Sequence, residues 1–190
     1  MPREATQEAG RDAAMMTRRW LESTTYLELP WNAYKHENMC LVKCLDGSVK
    51  GFDLAGFFLD DKMPVVVENK GVNSSGDQYQ EYRKFLAIAY SSTVRSTHDS
   101  GIDPQRTFMW VTRHPFGYSK DWVSLESHES VVDALGEHPE LLAGVSIDEE
   151  TTRLVAARVW LLVWNGKQER ILLTSDEITR VHAFLKRKED

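Results

Sequence analysis

The sequence predicts an α/β fold in which a mixed β-sheet, with three antiparallel strands and one parallel crossover strand, is flanked by helices. The run Val65–Val67 is β-branched and lacks polar alternation, which is typical of a strand buried on both faces. Asp46-Gly47 is a hairpin turn signal between earlier strand-like segments. A helical pattern that begins at Gln78 and is followed by the apolar run Phe108–Val111 implies a right-handed parallel crossover. A C-terminal β-hairpin and a helix are expected to complete the fold.

Length and composition favour a single globular domain. The chain has 190 residues, and we expect one domain over 1–190, with a core over about 11–115 and a C-terminal extension over about 126–190. Its formal net charge of −6 argues against a bulk electrostatic grip on nucleic acid, although local patches matter more than the sum. Because no signal peptide is recognised and no apolar run approaches the ~18 residues of a membrane span, we expect a cytoplasmic protein without a membrane partner.

The first half of the chain reads as one helix and three strands. The apolar spacing predicts a helix over Arg11–Leu21, and residues 23–37 have the composition of an irregular connection. Alternating and apolar runs then predict strands over Met39–Lys43, Val49–Leu59 and Met63–Val67.

The second half begins with the crossover. Asp77 can cap a helix over Gln78–Thr93, and Phe108–Val111 is the crossover strand. The remaining predicted elements are one or two short helices over 126–144, a strand in Leu154–Trp164, a hairpin turn at Asn165-Gly166, a returning strand at Ile171–Leu173 and a last helix from Ser175.

Charged residues follow the apolar strand directly. Since residues i and i+2 of a strand project to the same side, Glu68 and Lys70 are expected to share a face, with Asn69 turned away. A carboxylate and an ammonium at the end of an apolar run are costly unless they are paired or bind something. A structural ion pair between them is the plain alternative to a functional site.

A second carboxylate, Asp53, lies in the preceding strand. A hairpin about Asp60–Lys62 would place Glu68 near Gly56 and Lys70 near Leu54, with a register error of a residue or two. Asp53 would then lie beside Glu68 at one end of the sheet. Two carboxylates next to a cation match what Mg²⁺ requires, since it takes one or two carboxylates and keeps waters for substrate phosphates.

This pattern resembles a known superfamily. Asp53, fourteen intervening residues and then Glu68-x-Lys70 is similar to the motif of the PD-(D/E)xK nucleases, which have the restriction-endonuclease-like fold. The resemblance covers Gly51–Tyr90 directly, and Phe52 stands where the signature proline would be. It implies a restriction-endonuclease-like core of three antiparallel strands and a parallel crossover strand.

The resemblance implies metal-dependent hydrolysis of a phosphodiester bond. Asp53 and Glu68, with the backbone carbonyl of Asn69, would hold one or two Mg²⁺ ions, for which Mn²⁺ could substitute. Lys70 would orient or help deprotonate the attacking water, or stabilise the charge on the phosphate.

The next helix carries Gln78-x-x-x-Tyr82, which resembles the additional motif of the RecB-type exonuclease branch. By this resemblance both residues belong to the catalytic site, where Gln78 would hold the nucleotide or a water. Tyr82 would support Gln78 or contact phosphate. The plain alternatives are that Gln78 only begins the helix and that Tyr82 is a core residue.

Three accessory residues are candidates for the same site. Many superfamily members carry an acidic residue on the first helix, for which Glu22 is the best candidate in competition with Glu8 and Asp12. Arg113 and His114 follow the crossover strand and could touch phosphate. For each of them, a solvated surface position is the alternative.

The predicted function is that of a Mg²⁺-dependent nuclease, a hydrolase acting on nucleic acid. DNA is favoured over RNA as the partner, in DNA processing or phage defence, and a homodimer or a partner protein stays open. The alternative is a nucleic-acid-binding or assembly module on the same fold that does not cleave. A regulator or toxin-like component of a defence system is a third class.

Overall fold

The computed structural model of the protein describes residues 2–24, 26–70, 78–113 and 121–184, with the side chains of 2–7, 9 and 24 left out. The helices in these ranges are α1 (Pro2–Thr24), α2 (Gln78–Ser100), α3 (His128–Glu137), α4 (Glu149–Ala156) and α5 (Ser175–Phe184). The strands are β1 (Leu27–Asn32), β2 (Leu41–Lys43), β3 (Val49–Gly51), β4 (Leu54–Phe58), β5 (Pro64–Lys70), β6 (Thr107–Thr112) and β7 (Val159–Val163).

The main sheet is mixed and has five strands in the order β1-β4-β5-β6-β7. β4 runs antiparallel to both β1 and β5, whereas β6 is parallel to β5 and β7 is parallel to β6. The α/β class, the mixed sheet and the parallel pairing after α2 are therefore confirmed. β2 and β3 form a separate antiparallel hairpin.

β5 lies at the centre of the sheet, and helices cover both of its faces. Val65 and Val67 pack with Leu54 in a cluster that includes residues of α1. Val66 packs on the opposite face, in the cluster formed by α2, α3 and α4. Since the three valines alternate between two apolar layers, each of them is buried. The expectation of a strand buried on both faces is confirmed.

The first strand of the main sheet was not predicted. β1 lies inside residues 23–37, which the sequence indicated as an irregular connection. It contains Pro30, and its register shifts between Glu28 and Trp31. Because proline cannot donate to a ladder, it is confined to edge strands and bulges, and β1 has both features.

The predicted strands Met39–Lys43 and Val49–Leu59 are wrong in their extent. Only Leu41–Lys43 is a strand, and it pairs with β3 outside the main sheet. The second run is broken: the Phe52 amide donates to Cys40 O, 2.9 Å away, whereas the Asp53 amide donates to Val67 O, 3.0 Å away. The chain thus passes from the small sheet to the main sheet between these two residues.

The predicted C-terminal β-hairpin is wrong. β7 joins the main sheet parallel to β6, and residues 164–173 contain no returning strand. Asn165 does not occupy a hairpin turn, because its side chain accepts from the amide of Lys167, 2.9 Å away, and caps a 3-10 turn over Gly166–Ile171. The last helix, α5, is present as predicted. No helix in the described ranges combines the length and apolar character needed to cross a membrane.

Candidate functional site

Asp53 is held against the end of β5 by two hydrogen bonds. Its amide donates to Val67 O, and its Oδ2 accepts from the amide of Asn69, 2.7 Å away. Since β4 begins at Leu54, which pairs with Val67, Asp53 lies just before the ladder, beside the segment from Val67 to Asn69 that contains Glu68. The β4–β5 register is offset by three residues from the predicted one, because Leu54 pairs with Val67 and not with Lys70. The offset brings Asp53 closer to Glu68 than the sequence indicated.

The environment of Asp53 disfavours its charged form. Burial raises the pKa of Asp53 to about 6, and the neighbouring charge of Glu68 acts in the same direction. The hydrogen bond from Asn69 and the ammonium groups of Lys50 and Lys70 oppose this shift. A carboxylic acid that titrates near pH 6 beside a second carboxylate is the electrostatic pattern of many functional sites.

Glu68 is buried and paired with two ammonium groups. Lys70 Nζ lies 3.0 Å from Glu68 Oε1, and Lys50 Nζ lies 3.1 Å from Glu68 Oε2. The i, i+2 projection predicted for Glu68 and Lys70 brings them together on the face that Val66 shares. A buried carboxylate is thus neutralised within the chain, as its desolvation requires.

Lys70 connects Glu68 to α2 through a second ion pair. Its Nζ also lies 3.1 Å from Glu81 Oε2 and 5.0 Å from the centre of the Trp110 ring. Burial opposes the charge on Lys70, but Glu68 and Glu81 outweigh it and raise the pKa of Lys70. Lys70 is therefore held as a protonated donor.

Sequence reasoning missed Lys50 and Glu81. In an unbroken strand, Lys50 and Asp53 would project to opposite faces, so their spacing argued against one site. The break after Phe52 changes that parity and lets both groups reach Glu68. Glu81 follows Gln78 by three positions on the same helix, and this helical spacing was the available signal.

Asn69 points to the other face of the sheet, as predicted. Its side-chain Oδ1 accepts from the hydroxyl of Thr17 on α1, 2.7 Å away. This bond anchors α1 to the end of β5. The backbone of Asn69, whose carbonyl was a predicted metal ligand, stays in the ladder opposite Val111.

Gln78 lies at the end of the neighbouring strand. It is the first residue of α2 and is buried, and its Oε1 accepts from the hydroxyl of Thr112, 2.8 Å away. Thr112 is the cross-strand partner of Lys70. Gln78 Nε2 is a buried donor that has no hydrogen-bond partner among the residues that the structure describes. The structure thus places Gln78 one strand away from the paired carboxylates.

Tyr82 lies in the core with its ring between aromatic side chains. Its ring centre is 5.8 Å from that of Phe85 and 5.5 Å from that of Trp110. Its hydroxyl donates to Leu125 O, 3.0 Å away, and burial raises the pKa of Tyr82. Tyr82 is therefore connected to the site through Trp110, over which the Lys70 ammonium lies.

Glu22 makes a structural connection at the other face of the sheet. Its Oε1 accepts from the amide of Leu29, 2.9 Å away, and from Arg18 Nε, 3.1 Å away. The bond from Leu29 ties α1 to β1, and the bond from Arg18 lies within α1. Its competitors Glu8 and Asp12 form ion pairs with Arg11 nearer the start of α1.

Arg113, the first of the two candidates after β6, lies over an aromatic ring. The Arg113 guanidinium lies 4.1 Å from the centre of the Trp164 ring. Burial lowers the pKa of Arg113, and Glu169 acts in the opposite direction. His114 lies outside the described residues, as does the predicted helix cap Asp77.

Asp53 and Glu68 are the carboxylates at this edge that could hold a magnesium ion. Asp53 Oδ1 accepts no hydrogen bond from the described part of the chain, whereas both carboxylate oxygens of Glu68 are paired with lysines. The residues that the structure describes contain no group of three or more His, Cys, Asp or Glu side chains that could hold a metal ion. Mg²⁺ needs only one or two carboxylates, because it keeps several waters.

Comparison with known proteins assigns no family. No family model and no curated protein matches the chain. An Acinetobacter baumannii Cap4 SAVED/CARF-domain-containing receptor, with the cyclic trinucleotide 2'3'3'-cAAA, aligns with 92% of this chain and 34% of its own at 13% identity and a TM-score of 0.34. The Moraxella osloensis receptor aligns with 95% of this chain and 39% of its own, at 12% identity and a TM-score of 0.35. The chain spans less than two fifths of these receptors, and the similarity is too weak to assign a function.

Proposed function

We propose that this protein is a Mg²⁺-dependent nuclease with a restriction-endonuclease-like core of the PD-(D/E)xK type. The observation that supports it most is the convergence of Asp53, Glu68 and Lys70 at the end of a central strand. Asp53 is bonded to the amide next to Glu68, and Lys70 pairs with Glu68 on the same face of β5. This is the arrangement that the motif resemblance implies.

The order of the elements supports the same proposal. The strands β1, β4 and β5 form an antiparallel set, α2 connects β5 to β6, and β6 is parallel to β5. α1 packs on one face through Thr17 and Asn69. The carboxyl ends of the parallel strands meet at the edge that carries the site, which is where ligands bind in open α/β sheets.

The residues of the chain divide the proposed chemistry between them. A bound Mg²⁺ supplies a Lewis acid that polarises the phosphodiester and lowers the pKa of the attacking water. Asp53 and Glu68 would hold it through their carboxylate oxygens, together with the backbone carbonyl of Asn69. Lys70, paired with two carboxylates, keeps its proton and donates to the phosphate oxygen that gains charge. This role fits its raised pKa better than that of a general base.

The exposure of the charged side chains to solvent increases from Glu68 through Lys70 to Glu81. The Glu68 side chain is 9% exposed and that of Lys70 is 21% exposed, whereas that of Glu81 is 48% exposed. A phosphate thus approaches from the side of the lysines and not through the core. Because the chain as a whole is acidic, we expect either narrow contact with DNA or a partner protein that adds basic surface.

The test is metal-dependent cleavage of labelled single-stranded, double-stranded and branched DNA and of RNA. We expect cleavage with Mg²⁺ or Mn²⁺ and none with EDTA. Asp53→Asn and Glu68→Gln should each reduce the rate by about 100-fold or more, the scale for losing a group that stabilises only the transition state. Asp99→Asn, an exposed carboxylate at the end of α2, is the matched control and should retain full activity. Equal rates in all three variants would disprove the proposal.

A non-cleaving nucleic-acid-binding module is the second candidate. It is favoured by the two lysines on Glu68, which neutralise that carboxylate without a metal ion. In that case the wild type would bind nucleic acid and leave it intact with either metal. Lys50→Met would weaken this binding, and Glu68→Gln would strengthen it.

A further inference from the structure

Lys50 contacts both oxygens of one carboxylate. Its Nζ lies 3.1 Å from Glu68 Oε2 and 3.2 Å from Glu68 Oε1. Its positive charge also acts on Asp53, where it lowers the pKa against the effect of burial. The ammonium group of Lys50 thus serves both carboxylates that a divalent cation would share.

Lys50 is held more loosely than Lys70, the other ammonium on Glu68. The Lys50 side chain is 34% exposed, and its Nζ lies 5.7 Å from the centre of the Phe52 ring. Lys70 is 21% exposed and is fixed by Glu81 as well. Lys50 also extends from β3, which belongs to the separate two-stranded sheet. Its side chain can leave Glu68 without breaking a bond of the main sheet.

We propose that Lys50 is an exchangeable counter-ion of the site: it neutralises Glu68 when no divalent cation is bound and contacts a nucleic-acid phosphate when one is. This inference rests on the proposed function. It assigns a phosphate-binding role to a residue that lies outside the Asp53, Glu68 and Lys70 motif.

The charges around Glu68 require such an exchange. Without a metal ion, the carboxylates of Asp53, Glu68 and Glu81 face the ammonium groups of Lys50 and Lys70. A divalent cation between the carboxylates would repel an ammonium on the same oxygens, because like charges at that separation are unfavourable. The most exposed of the cations is the one displaced. Because its flexible side chain extends from β3 and is partly exposed, it stays near the mouth of the site, where a phosphate arrives.

The test compares Lys50→Met with Lys43→Met, an exposed lysine on the same hairpin. Mg²⁺ affinity is measured by calorimetry without nucleic acid. We expect Lys50→Met to bind Mg²⁺ about fivefold more tightly than the wild type, since a partly exposed competing ion pair is removed. The affinity for a DNA oligonucleotide is measured in Ca²⁺, and here we expect Lys50→Met to bind several-fold more weakly, with the salt slope reduced by about one.

The opposite signs of the two effects separate the outcomes. Lys43→Met should match the wild type in both measurements, and circular dichroism checks that Lys50→Met is folded. Unchanged or weaker Mg²⁺ binding in Lys50→Met, or unchanged DNA affinity, overturns the counter-ion role, even if the wild type cleaves DNA. If both effects occur and the wild type does not cleave, the proposed nuclease activity fails while the role of Lys50 stands.

Discussion

Asp53 shows how one residue can be fixed precisely at an electrostatic cost. Its two hydrogen bonds to β5 hold the carboxylate beside Glu68, where burial and repulsion both oppose ionisation. An environment that disfavours a carboxylate in this way is typical of functional sites that bind a cation. Lys50 and Lys70 offset only part of this effect. The consequences can be measured on the free protein.

Asp53→Asn is expected to stabilise the protein in a pH-dependent way. The folded-state pKa of Asp53 is raised to about 6 from its usual value of 3.8, so the native state binds more protons than the unfolded state between these pH values. Stability is therefore lost as pH rises through this window. Asparagine keeps an acceptor for the Asn69 amide and removes the charge. We expect a gain of about 2–3 kcal/mol at pH 8 that disappears below about pH 4, measured by urea unfolding.

Asp46→Asn is the control for this series. Hydrogen bonds from Ser48 lower the pKa of Asp46, so its charged form is favoured by the fold. Its replacement should not stabilise the protein at pH 8. If the free energies of unfolding of Asp53→Asn and the wild type differ by the same amount from pH 4 to pH 8, the fold does not disfavour the charged form of Asp53.

The two lysines on Glu68 are expected to be non-additive. With Lys70→Met alone, Lys50 still neutralises Glu68, and with Lys50→Met alone Lys70 does. Each single variant should cost about 1 kcal/mol or less. The double variant leaves the buried Glu68 carboxylate without a cation and should cost about 1–3 kcal/mol more than the sum. A double-mutant cycle by urea unfolding measures this, and additive costs would show that the two cations act independently.

At the scale of elements, the site depends on how closely β1 approaches β4. A Cβ on Gly56 would stand 1.9 Å from the backbone oxygen of Glu28, so the strands could not keep their spacing. β4 leads back to Asp53 within three residues. The break between β3 and β4 is the second such feature, because it directs Lys50 and Asp53 to one carboxylate.

Gly56→Ala is expected to destabilise the protein by about 3 kcal/mol, because the clash is with backbone and cannot be relieved by a rotamer change. Gly136→Ala is the matched control. It lies in α3 with no atom within 4 Å of the added Cβ, and should stabilise the protein by about 0.5–1 kcal/mol. Thermal and urea unfolding of both variants provide the comparison. A neutral Gly56→Ala would contradict the β1–β4 spacing.

On the scale of the whole molecule, a five-stranded sheet between two apolar layers carries its charges at one edge. α1 is tied to this edge by Thr17, and α2 contributes Gln78 and Glu81. A ligand that binds here therefore contacts a strand end to which elements of both layers are bonded. Its binding energy is added to the stability of the entire fold.

Mg²⁺ is expected to raise the melting temperature of the wild type. A ligand at 100 times its dissociation constant stabilises the native state by about 2.7 kcal/mol. Glu68→Gln removes one of the two proposed carboxylate ligands and should lose most of this shift. Scanning calorimetry with Mg²⁺ and with EDTA measures it, and the exposed Asp99→Asn variant should respond as the wild type does. An equal response in Glu68→Gln would locate the ion elsewhere.

The sequence alone determined the central strand and the residues at its end. Val65–Val67 had to be buried on both faces because the run offers no polar side, and the period of two fixed Glu68 and Lys70 on one face. The crossover to β6 followed from the strand, helix, strand order. These features depend on local periodicity, which a single sequence records.

Only the tertiary structure decided the rest. β1 contains a proline and a bulge, so its pairing is favoured by β4 and not by its own sequence. Asn165-Gly166 is a hairpin signal, but β7 finds its partner in β6, more than forty residues earlier, and the asparagine caps a helical turn instead. Lys50 reached Glu68 because the chain changes sheets after Phe52, which reverses the strand parity. Contacts between distant segments set each of these outcomes, and no local pattern encodes them.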